Sequence, residues 1–80
     1  MQFNNEIIGK VIKEKRIQKG MTQDLLSGFA GIARTHLTMI ENGSKQPNFE
    51  TIWKIALALD LKPSELVEDI EAALSNATAS

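Results

Sequence analysis

Apolar residues recur along this chain at helical spacing, and no run alternates with the period of two that a half-buried strand requires. In the segment Glu6 to Lys19, Ile8, Ile12 (with Val11) and Arg16 fall at i, i+4 and i+8 on one face. Asn4 or Asn5 offers a cap for this helix and Gly20 a stop. Thr22 then opens a shorter run in which Leu25, Leu26 and Phe29 recur, and Ala30-Gly31-Ile32 forms a tight joint. The next run turns Ile32, Leu37 and Ile40 inward and leaves Arg34, Thr35, His36, Thr38 and Met39 more open, until Asn42-Gly43 closes it. Residues 22–42 therefore predict a helix-turn-helix, whose second helix is the one that enters a DNA major groove.

Gly43 to Asn48 reads as a loop with Asn48 as the cap of a fourth helix, whose apolar face holds Phe49, Ile52, Ile55, Ala56 and Leu59. After a bend at Asp60-Leu61-Lys62, Pro63 suits the first turn of a fifth helix over 63–75, with Leu66, Val67, Ile70 and Leu74 inward. Residues 76–80 are small and polar and are expected to fray. The pattern predicts an all-α, compact five-helix domain spanning 1–80.

Composition narrows what such a domain could do. Eighty residues bury only about 60–65% of the extended chain's surface, so the core must be economical. With no cysteine and one histidine, a disulfide framework, a thiolate metal site and a multi-imidazole metal site are all excluded within one chain, and no metal is expected. No stretch approaches the roughly 20 apolar residues that span a membrane, and the start lacks the features of a signal peptide. A cytoplasmic setting is the expectation. Net charge is −1, but residues 1–50 hold seven Lys/Arg against five Asp/Glu, and residues 51–80 two against five. A mildly basic head with an acidic tail end fits a protein that grips phosphate at one end only.

Lys15 to Gln23, Leu26, Gly31-Ile32, Ile40-Glu41-Asn42-Gly43, Pro47, Ile52, Ile55-Ala56, Leu59 and Ser64-Glu65-Leu66 share a joint spacing over most of the chain. Through these residues, across Gly9 to Val67, the chain resembles the Cro/phage-repressor helix-turn-helix family, also called XRE. The resemblance implies a lambda-repressor-like fold and a transcriptional regulator. Arg34-Thr35-His36 is similar to the recognition-helix head of restriction–modification controller proteins, which are small homodimers. Three departures stand out: Ser27 replaces the family's usual alanine, Gly28 sits inside a helix, and Asp60 replaces a helix-ending glycine.

Arg34 can bridge N7 and O6 of a guanine, or clamp a phosphate instead. Thr35 and Thr38 offer a hydroxyl to phosphate or base and a methyl to thymine. Met39 can meet a thymine methyl or fill space against a neighbouring helix. These four are the candidate base contacts. Gln23 is the candidate phosphate contact at the start of the second helix, as the resemblance implies, against the alternative of a solvated glutamine. His36, Asn42, Ser44, Lys45 and Gln46 are further backbone candidates, with a solvated imidazole the alternative for His36. Lys10, Lys13 and Lys15 could extend that contact or form a solvated face. The resemblance pairs Arg16 with Glu41 as a structural ion pair. Nothing supplies a nucleophile, a metal set or a phosphate loop, so no enzyme, cofactor or small-molecule ligand is expected.

Trp53 lies beside Ile52 rather than on its helical repeat. With Leu57, Ile70 and Leu74 it is the candidate centre of a homodimer interface, the alternative being that the fifth helix folds over it. The leading expectation is a sequence-specific regulator binding a palindromic operator as a homodimer. A DNA-binding antitoxin, with a toxin protein as main partner, is the rival.

Overall fold

The computed structural model describes residues 3–79, which form five α-helices and no strand: α1 (Asn5–Gln18), α2 (Gln23–Ala30), α3 (Arg34–Glu41), α4 (Phe49–Ala58) and α5 (Pro63–Ala79). Four of the five starts satisfy otherwise orphaned backbone donors with a side chain, α3 being the exception. Asn4 Oδ1 accepts from the amides of Glu6 and Ile7, Thr22 Oγ1 from Leu25 and Asn48 Oδ1 from Thr51. At α5, Pro63 occupies the first helical position and Glu65 Oε1 reaches back to the amide of Lys62.

Four helices end in the same Schellman pattern. The amides of Met21, Ile32, Ser44 and Leu61 each reach back five residues, to the carbonyls of Arg16, Ser27, Met39 and Ala56. The pattern needs a left-handed residue just before each of those amides. Gly20, Gly31 and Gly43 supply it at the first three ends, and Asp60, at φ 59°, supplies it at the fourth. Asp60 thus does a glycine's work with a side chain attached, at a steric cost.

α1 lies between α3 and α5, α2 rests on α3 and α4, and α4 packs on α5. Ile8, Ile12, Leu26, Leu37, Ile40, Ile55, Leu59 and Leu66 are fully enclosed where these elements meet. Gly9 permits the closest approach. A Cβ built there would overlap the carbonyl oxygen of Ile40 and lie 2.7 Å from that of Glu41, so α1 and the end of α3 meet backbone to backbone.

Spacing alone does not fix how wide a stripe each helix buries, and the inward assignments of Phe49 and Val67 are corrected. On α2 the buried residues are Leu26, Ser27 and Ala30, while Leu25 and Phe29 are exposed. A two-turn helix wedged between α3 and α4 buries a narrow stripe, and the small Ser27 and Ala30 let it sit close. Phe49 and Val67 are exposed as well, Phe49 because it begins α4 where the helix emerges from the core. Ile70 and Leu74 are inward as the spacing of α5 predicts, which corrects their expected place in a homodimer interface. At 6% and 3% exposure they belong to the core of this one chain, since they repeat every four residues from Leu66 on the face that α5 turns to α1 and α4. α5 runs on to Ala79, beyond the expected end at 75. The alanines at 72, 73 and 77 favour that continuation. Ser80 lies outside the described residues.

Candidate nucleic-acid interface

Thr22 and Gln23 begin α2 beside the outer face of α3, and a polar network joins the two helices there. Arg16 Nε and Nη2 donate to Glu41 Oε2 and Oε1 at 2.8 and 3.0 Å, and Arg16 Nη1 donates to the carbonyl of Met21 at 2.9 Å. The carboxylate is almost wholly enclosed, with 3% of its side chain exposed against 12% for Arg16. Gln23 Nε2 donates to Glu41 Oε1 at 3.1 Å, and Gln23 Oε1 accepts from Thr38 Oγ1 at 3.0 Å. One guanidinium from α1 and one carboxamide from α2 therefore converge on α3.

The network fixes which way α3 faces. Leu37 and Ile40 are enclosed, whereas Arg34, Thr35 and Met39 open outward and His36 and Thr38 stand half-buried at the edges. Thr38 is committed internally, its hydroxyl lying 3.0 Å from both Gln23 Oε1 and the carbonyl of Arg34, so its methyl and lone pairs are what it can offer outward. Arg34 Nη1 lies 3.5 Å from Asp24 Oδ1, and both side chains are exposed. Sequence reasoning misses Asp24. Its position in the first turn of α2 is the available signal, but only the crossing of α2 and α3 brings it to Arg34.

The loop after α3 folds back on the helix end. Asn42 Oδ1 accepts from the amide of Ser44, and Ser44 Oγ donates to the carbonyl of Met39. Ser44 thus spends its proton within the chain, while Asn42 keeps its Nδ2 donor group and Lys45 and Gln46 project from the loop, anchored by buried Pro47. Lys10 and Lys13 are exposed, but Lys15 is drawn away, its Nζ 2.7 Å from Asp69 on α5. That pairing removes Lys15 from the expected extension of the basic surface.

On α4, Trp53 and Leu57 are exposed at 47% and 60%, so α5 does not fold over the indole. The Phe49 ring meets Trp53 edge to face, with centroids 5.9 Å apart. An apolar groove of about 290 Å³ adjoins them, lined by Phe3, Ile8, Pro47, Phe49, Ile52 and Val67 among others. The patch expected from the sequence keeps its α4 members, loses Ile70 and Leu74 to the core, and gains Phe49 and Val67.

Residues 12–66, the stretch that builds this network and α3, match the helix-turn-helix family model. The chain belongs to the helix-turn-helix family. It is an all-α, DNA-binding helix-turn-helix domain of the kind found in transcriptional regulators. Over its whole length it is 31% identical to the uncharacterised HTH-type transcriptional regulator y4dL of Sinorhizobium fredii. It spans only 43% and 60% of the lengths of two curated relatives that it matches. Among solved structures, the restriction–modification controller protein C.AhdI from Aeromonas hydrophila superposes with a TM-score of 0.73 at 33% identity, covering 76% of this chain and 92% of that one. The controller protein C.Esp1396I, solved as a tetramer with its natural 35 base-pair operator, gives 0.81 at 26% identity, covering 91% and 96%. Among the described residues, no helix is long and apolar enough to cross a membrane.

Proposed function

We propose that this chain is a sequence-specific transcriptional regulator that binds a palindromic operator as a homodimer, and that it governs its own gene together with restriction–modification genes. The observation that carries the reading is the Gln23 carboxamide bound to both Glu41 and Thr38, which seats the start of α2 on α3 while Arg34, Thr35 and Met39 stay outward. A helix held rigidly at its base with polar and methyl-bearing groups on its open face can address base edges. Arg34 suits a guanine, Thr35 and Met39 suit thymine methyls, and Thr38 offers its methyl. Gln23, His36, Asn42, Ser44, Lys45 and Gln46 lie along the backbone side, with Ser44 limited to its hydroxyl lone pairs because its amide and its hydroxyl proton are already spent within the chain.

One such helix reads too few base pairs to find a single site, and the small basic excess adds little phosphate attraction. Two copies related by a two-fold axis would set recognition helices about 34 Å apart, one helical turn of DNA. Trp53, Leu57 and Phe49 form the apolar surface that such pairing would bury. The likeness to solved controller proteins supports the narrower assignment. On this reading the partners are double-stranded DNA and a second copy, and the setting is cytoplasmic.

The test is selection from a random duplex library, with sedimentation of the free protein. A symmetric motif with half-sites one turn apart and a mass of two chains is expected. A single asymmetric half-motif with a monomer's mass would overturn the dimer. Purification with a second polypeptide in equal amount would favour the antitoxin instead.

A further inference from the structure

We infer that Asp24 is a specificity-determining residue: its carboxylate orients the Arg34 guanidinium toward a base and away from phosphate, so that base preference depends on a side chain that does not touch the base. This rests on the reading of α3 as the base-addressing helix.

Arg34 is the first residue of α3, and nothing on α3 holds its head group. Ala33, at the cap position, makes no side-chain hydrogen bond, and the first turn carries no acidic residue. The positive end of the α3 dipole also disfavours a guanidinium. Across the joint, Asp24 is the second residue of α2, where a carboxylate is favoured by that helix's own dipole. Its neighbour Gln23 is tied twice to α3, so the backbone that carries Asp24 is fixed relative to Arg34. Asp24 Oδ1 stands 3.5 Å from Arg34 Nη1.

Arginine has five donors in a rigid fork, so engaging one edge through Nη1 leaves Nη2 and Nε for the N7 and O6 of a guanine. In the free protein the exposed pair is weak. When DNA docks and water leaves, the same two charges interact in a lower dielectric and the restraint tightens. The carboxylate also acts against the competing pose. An arginine that swung to a phosphate would leave Asp24 unpaired beside a polyanion. Asp24 therefore lowers affinity for DNA in general while raising discrimination at one position.

The test uses the full chain as wild type, D24N, D24E, R34A and the D24N/R34A double variant, with random-duplex selection and titration against selected and scrambled duplexes at several salt concentrations. D24N is expected to lose about fivefold or more of the base preference at the symmetric positions that R34A relaxes, and to leave other positions alone. Its affinity for scrambled duplex should rise, with a salt slope steeper by about one counterion. D24E should restore the preference, and D24N should change preference no further once Arg34 is gone. If D24N tightens every sequence alike and selects an unchanged motif, Asp24 is only a general repulsive charge and the inference is overturned. A preference change by D24N in the R34A background would overturn it as well. If wild type selects no motif, the base-addressing reading itself fails and takes this inference with it, an outcome plainly distinct from the other two.

Discussion

Arg16 on α1 and Glu41 at the last position of α3 form a two-pronged ion pair, 2.8 and 3.0 Å long and 25 residues apart in sequence. The enclosed carboxylate takes a third hydrogen bond from Gln23, and the third arginine nitrogen closes on the carbonyl of Met21. Every strong acceptor is thereby matched to a donor. Against a well-packed apolar alternative such a pair adds little, but losing one partner strands a buried charge, which costs about 3–5 kcal/mol. Arg16→Ala should therefore lower the melting temperature by more than about 10 °C, since about 1 kcal/mol corresponds to 4–8 °C in a domain of this size. Exposed Lys13→Ala serves as the control, and thermal melts followed by circular dichroism decide it.

Gly9→Ala should be as damaging by a steric route. The added methyl would meet the carbonyls of Ile40 and Glu41, which are backbone and have no rotamer to escape into. α1 and α3 would have to separate, loosening the packing of Ile8, Ile12 and Ile40. A loss of more than about 2 kcal/mol in urea unfolding is expected, in the range of severe core defects.

Two departures from the family pattern leave stability to be gained. Gly28 sits in α2 with open space where a methyl would go, nothing lying within 4 Å of that position, so Gly28→Ala should add about 0.5–1 kcal/mol from helix propensity and reduced unfolded-state freedom. Asp60→Gly relieves the left-handed strain at the end of α4 and should stabilise by about 1 kcal/mol. The two sites lie on different elements, so the gains should add in the double variant. A Gly28→Ala single variant that melts no higher than wild type would count against helix propensity as the limit on stability at that site.

The proposed assembly surface can be separated from the core by charge. Trp53→Lys with Leu57→Glu should leave a folded monomer with much weakened operator binding, since both side chains are already open to water. Ile70→Glu should instead unfold the chain, because that position is enclosed by the same polypeptide. Sedimentation gives the mass and circular dichroism the fold. A double variant that remains dimeric would move the interface elsewhere.

On DNA, Arg34→Ala should relax preference at one symmetric pair of positions. Gln23→Ala should weaken all sequences alike, and should also lower stability modestly, by about 1 kcal/mol, because Glu41 and Thr38 lose a partner. Binding-site selection on both variants, with melts on the second, separates the two roles. Equal effects on preference would count against the assignment of Arg34 to a base.

Local rules carried much of this protein. Caps at Asn4, Thr22 and Asn48, breaks at Gly20, Gly31 and Gly43, and apolar spacing set five helices and their order, because each signal acts within about five residues of where it is written. The same spacing could not say how wide a stripe each helix buries. Phe29, Phe49 and Val67 are as apolar as their buried neighbours, and only the number of helices packed against each face left them outside. Ile70 and Leu74, expected both inward and at a homodimer interface, are enclosed by their own chain for the same reason. The pairing of Asp24 with Arg34, the withdrawal of Lys15 to Asp69 and the backbone contact at Gly9 likewise depend on helix crossings, which distant residues fix jointly through packing and which no local window contains.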